Sequence, residues 1–203
     1  MVLCLVVLLP LVEIVCLADF VVDSIIELRY RKGRQLLFDF DSECLALLIG
    51  LLARQKHRTV VAWCFDCLSP VVSMFEARYP LDKRLSVCLE VSRSWARGEV
   101  KMPVAKKYIL EAHSMAKEMD DKVYDLLAHS VGQGCSSIHS ARHGLGLVFY
   151  ELSALVYLYG LDNCVGIISD KLDFYLERLR FWEAHVDDEV LDFKWASFLL
   201  RDK

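Results

Sequence analysis

The chain of 203 residues has little glycine and proline, nine and four respectively, and it has no low-complexity tract. Those absences exclude a collagen-like or disordered chain and leave a domain large enough to bury a core. No Gly-rich phosphate loop and no repeat period occur, which removes a mononucleotide-binding loop and a solenoid. No alternating strand ladder follows residue 40. Basic residues are outnumbered, with 24 Lys and Arg against 28 Asp and Glu and a net charge of −4, so a strongly basic nucleic-acid binder is not expected. Met1-Val2-Leu3-Cys4 lacks the basic start of a secretory signal, and Glu13 and Asp19 interrupt the apolar N-terminal stretch before it reaches the ~20 uncharged residues of a spanning helix.

What is present is 55% hydrophobic and unevenly charged: residues 1–50 carry −3, residues 51–110 carry +6 and residues 111–203 carry −7. Any charged partner therefore meets a dipolar molecule. The eight cysteines sit in apolar runs without framework spacing, as expected of reduced core thiols in the cytoplasm. Cys64 and Cys67 have a redox-like spacing but no second ligand pair, and beside Trp63 they read as packing.

The periodicity predicts an all-α fold, a single-domain multi-helix bundle or orthogonal array. Residues 1–50 form an apolar, mainly helical extension packed on the core, with helix or strand open for residues 2–9, and residues 51–203 form the main domain. Asp19, Asp23 and Glu27 make one wet stripe on a mostly buried helix. Further helices are expected from Asp41 to Leu52, from Thr59 to Arg78 with a kink or restart at Ser69-Pro70, and from Asp82 to Arg97. Another follows from Pro103 to about Met119, with Val104, Tyr108, Ile109, Ala112 and Met115 inward. The remaining helices are Val123 to Val131, 138–159, one carrying Leu172, Tyr175, Leu176, Leu179 and Trp182, and Asp188 to Leu200.

Several constellations bear chemistry. His139 and His143, four apart, would share a helix face and with His113 and His129 could hold zinc. Ser140, however, stands where a metalloprotease motif needs Glu, so buttressing of a helix junction is the competing reading. Cys135 with His139 suggests a thiol and its base, without a third member. Arg93 and Arg97 flank Trp95 at a helix end, and Asp187, Asp188, Glu189 and Asp192 make an acidic turn after His185. These six charged residues are the partner-binding candidates, each also explained by helix-end electrostatics.

Gln55-x-His57-Arg58-Thr59-x-x-x-Trp63-x-x-Asp66-Cys67, Phe75-Glu76-x-x-Tyr79-Pro80-x-Asp82-x-Arg84, Arg93-x-Trp95-Ala96-Arg97-Gly98-Glu99, Ala128-His129-x-Val131-Gly132-Gln133 and His139-x-x-x-His143-Gly144-x-Gly146 occur in that order. Over about residues 53–183 this pattern resembles the immunity-protein-five-like family of bacterial immunity proteins. The family-motif residues are His57, Trp63, Asp66, Glu76, Trp95, Gln133, His139 and His143. The resemblance implies a helical fold, a cytoplasmic bacterial setting, no cofactor, and neutralisation of a cognate toxin by protein–protein contact, with a homodimer left open. The acidic C-terminal half suits a basic nuclease as that toxin. Nucleic acid and membrane are not expected as partners. The alternative is a metal-binding protein or hydrolase-like enzyme built on His113, His129, His139 and His143; membrane tethering through residues 1–28 is a third reading.

Overall fold

The computed structural model describes residues 21–188 and 194–201; among them every regular element is a helix and none is a strand. In chain order these are α1 (Ser24–Arg31), a 3-10 turn (Glu43–Leu45), α2 (Ala46–Leu52), α3 (His57–Arg78), α4 (Arg84–Ala96), α5 (Met102–Ala116), α6 (Lys122–Ser136), α7 (His143–Tyr159) and α8 (Cys164–His185). They pack as one bundle around α3, α6 and α7, with α5 and α4 on one flank and α8 on the other.

The central helix is α3. It is long and apolar enough to cross a membrane, but its hydrophobic length is spent on neighbours: Val60, Val61, Trp63, Cys64, Phe65, Cys67, Leu68 and Phe75 are all buried. Pro70 lies inside it without a restart. The Ser69 hydroxyl donates to the Phe65 carbonyl 3.1 Å away, bonding back into the turn instead of capping a new helix.

The segment before α2 belongs to the same core, to which it contributes Ile26, Leu37, Phe38 and Leu45. The Leu37 amide donates to Ser153 Oγ of α7 at 2.9 Å, and Arg29 bonds the Leu37 carbonyl at 2.9 Å. The wet stripe expected along residues 19–27 is corrected at its centre. Asp23 is the N-cap of α1, accepting from the Ile25 and Ile26 amides at 2.8 and 2.7 Å, and of the helix only Ile26 is buried. Residues 1–20, with the choice between helix and strand for 2–9, lie outside the described residues.

Four further expectations are corrected. Helix α6 continues through Gly132 and Gly134 to Ser136, because packing against α3, α5 and α7 outweighs the low helix propensity of glycine. The next helix starts at His143, not 138: the Ser136 hydroxyl bonds the Gly132 carbonyl at 2.7 Å, and residues 137–142 turn. Val104 faces solvent, since α5 buries the line through Ala105, Ile109 and Ala112. No helix occupies residues 194–201; the Ala196 amide instead donates to the Ala96 carbonyl at 2.8 Å and Trp195 Nε1 to the Val186 carbonyl at 3.2 Å, clamping that segment across the ends of α4 and α8.

Candidate functional site

Most of the family-motif side chains tie helices together. Trp63 Nε1 donates to the Tyr175 carbonyl at 2.9 Å, while Asp66 accepts from Arg178 Nε at 2.5 Å and Trp182 Nε1 at 2.9 Å, so two turns of α3 are fastened to α8. Glu76 pairs with Lys83 at 2.6 Å across the α3–α4 turn. His57 Nε2 lies 2.7 Å from the Ser137 carbonyl, which anchors the α6–α7 turn on the start of α3. Gln133 Oε1 accepts from His143 Nδ1 at 2.8 Å. A Cβ on Gly146 would stand 2.7 Å from that same oxygen, so the close approach expected at this glycine is required by the bond.

His113 of α5 and His129 of α6 meet with their Nδ1 atoms 2.9 Å apart, so one ring donates and the other accepts. Asp125 stands 3.3 Å from His129 Nε2, and assigning the His129 proton there makes His113 the Nδ1 donor. The pair is possible because Gly132 has no side chain: a Cβ would come within 2.6 Å of the His113 ring. Burial, reinforced by neighbouring His129 and His143, pushes His113 down to about 4. Burial also lowers His129, against the pull of Asp125, and lowers His143 beside His139. These imidazoles are therefore held neutral at physiological pH.

His139 and His143 do not share a helix face. His139 belongs to the α6–α7 turn and His143 is the first residue of α7, which corrects the expected pair. Both nevertheless line the same cavity as His113, a groove of about 300 Å³ completed by Trp95, Leu110 and Ser136. Neutral imidazoles are competent zinc ligands, but among the described residues no group of three or more His, Cys, Asp or Glu is gathered as a metal site. Cys135 is buried in α6, and its thiol neighbour is Cys88; no hydrogen bond among the described residues joins it to His139. Burial pushes Cys64 up to about 12 and Cys67 well above its ordinary value, the opposite of an activated nucleophile.

The charged candidates are placed as follows. Arg93 pairs with Glu90 at 2.6 Å and Arg97 with Glu99 at 2.7 Å, both at the C-terminal end of α4 where cations complement the helix dipole. Asp187 accepts from Arg58 Nε at 2.6 Å and Lys56 Nζ at 2.7 Å, and these two cations hold its carboxyl down at about 2. Asp188 pairs with His185 at 2.7 Å. Glu189 and Asp192 lie outside the described residues.

Two features were missed from the sequence. One is a buried triad in which Glu151 of α7 pairs with Lys171 of α8 at 2.5 Å and accepts from the Tyr175 hydroxyl at 2.6 Å. The charged Glu151 within an apolar helix was its signal. The other is a cleft of about 590 Å³ beside the α6–α7 turn, lined by Arg54, Lys56, His57, His139, Phe198 and Arg201 among others. It assembles segments that the sequence shows only as separate loops.

Comparison with known proteins gives one finding: the model of a family described as "Imm-5 like putative immunity protein" matches residues 50–178. No curated protein and no solved structure matches the chain.

Proposed function

From the premise that the chain belongs to the Imm-5 like immunity-protein family, we propose that it binds a cognate toxin in the cytoplasm and neutralises it by surface contact rather than by catalysis. The observation that carries this reading is the use of the motif side chains. His57, Trp63, Asp66, Glu76, Gln133 and His143 each make a hydrogen bond or ion pair within the chain. Such residues build a rigid platform, and the outer faces are left to recognise.

The partner-binding role of Arg93, Arg97 and the acidic turn belongs to the same proposal. So does the class of toxin. Asp170, Asp173 and Glu177 form an exposed acidic stripe along α8, which supports a basic toxin of the nuclease kind, steered by opposite charge. The test is self-protection. Cells producing the toxin together with this chain should survive, and the two polypeptides should co-purify. Death despite abundant folded protein, or survival without a complex, contradicts the proposal. Stoichiometric zinc in the purified protein, lost in a His139→Ala His143→Ala double variant, would turn the reading toward the histidine-based alternative.

A further inference from the structure

We infer that the histidine-lined groove against α5 and the adjoining cleft form one recognition surface, which takes an acidic segment of a protein partner with a single large apolar side chain seated in the groove. This rests on the binding reading above and names a second face, distinct from the acidic stripe of α8.

Four observations converge. First, the two cavities are neighbours: His139 lines both, and Trp95 of the groove stacks on Phe198 of the cleft with ring centroids 6.0 Å apart. Second, the groove is apolar and open. Met102 is 43% exposed and Leu110 is 55% exposed at the rim, above buried Trp95 and Ile109 at the floor. Exposed apolar side chains around a concavity are what an inserted anchor residue needs. Third, the imidazoles of the floor are biased to neutrality, so an apolar side chain would not have to desolvate a formal charge there.

The fourth is charge. Among the described residues no Asp or Glu lines either cavity, whereas Lys106 lines the groove and Arg54, Lys56 and Arg201 line the cleft. Lys56 is already paired with Asp187. Lys101, Lys106 and Lys117 are exposed on α5 and its flanks, and no ion pair among the described residues reaches them. Lys106, Leu110, His113 and Lys117 follow one another at helical spacing, so two cations bracket the apolar stripe. Carboxylates flanking one apolar residue complement that order; a basic segment would meet like charge at both ends.

The test uses the full chain and a phage library of random peptides. Selection should enrich peptides with Asp or Glu on either side of one aromatic or aliphatic residue. Binding of a synthetic enriched peptide, followed by fluorescence anisotropy, should weaken about tenfold in Lys106→Glu and in Leu110→Asp, as expected for a rim charge and an anchor contact. It should be unchanged in Asp173→Lys on α8. Both altered side chains are exposed, so circular dichroism and Tm should match the unaltered protein. No enrichment, enrichment without carboxylates, or wild-type binding by both variants overturns the inference. Failure of the immunity reading shows separately, as the absence of a toxin complex with the unaltered chain.

Discussion

Two polar clusters inside the bundle have opposite designs. Between α7 and α8, Glu151, Lys171 and Tyr175 bring ionised groups out of water and satisfy them with one another, next to Trp63 and its bond to the Tyr175 carbonyl. Between α5, α6 and the start of α7, His113, His129 and His143 are held neutral, and His113 and His143 line an open groove. The first cluster satisfies its polar groups internally, at the edge of a cavity of about 270 Å³ that Glu151 and Lys171 line, and it fixes how α8 sits on the core. The second keeps the imidazole wall of the groove rigid and neutral while leaving it accessible. One arrangement serves folding alone, and the other serves folding and presentation together.

The largest effect that separates them is loss of one partner from the first cluster. Glu151→Ala leaves the Lys171 ammonium and the Tyr175 hydroxyl without their acceptor in the interior, and should cost about 3–5 kcal/mol. Urea denaturation monitored by Trp fluorescence measures it. A change below about 1 kcal/mol would mean that water already reaches the pair and that the contrast between the clusters is false.

A smaller loss tests the second cluster. In Gly132→Ala the new methyl would fall within 2.6 Å of the His113 ring, so the ring must move and its bond to His129 must break or lengthen. The expected cost is about 1–3 kcal/mol, reduced by the better helix propensity of alanine. The diagnostic companion is an altered His113 imidazole resonance. A more stable variant with an unchanged ring would show that the two helices are not held apart by that contact.

The pH dependence distinguishes the clusters with the least perturbation. His113 titrates at about 4 in the fold against an ordinary 6.5, so the unfolded chain binds its proton more tightly. Stability from this group is fully present above pH ~6.5 and is lost progressively as pH falls toward ~4. With partial solvent screening the change should be of order 1–2 kcal/mol. Denaturation midpoints across that window should slope in the unaltered chain and slope less steeply in His113→Gln, with His129 and His143 supplying the remainder. Parallel slopes would assign the dependence to another group.

Most of the architecture is legible in the sequence because apolar residues recur at helical spacing, and the α3, α4, α5 and α8 stripes need no tertiary information. The errors fall where tertiary contacts overrule local signals. Gly132 and Gly134 look like helix breakers, yet the glycine at 132 is what admits the His113 ring. Residues 138–142 lead into a long apolar helical run, but the Ser136 hydroxyl bonds back to the Gly132 carbonyl at the end of α6 and the chain turns. Residues 194–201 carry an amphipathic pattern, but tertiary bonds from Ala196 to Ala96 and from Trp195 to Val186 hold them as an irregular segment. The site is less legible than the fold for the same reason. The family-motif residues are visible as a string, whereas the groove and cleft exist only after four separate segments converge on His139.

The most direct test of neutralisation by contact is a titration of the toxin's activity with the purified chain. Stoichiometric binding predicts activity falling linearly to its floor at a fixed molar ratio near one, with the same endpoint after minutes or hours. Complete and progressive loss of toxin activity at a small fraction of an equivalent would mean turnover, and would contradict the account.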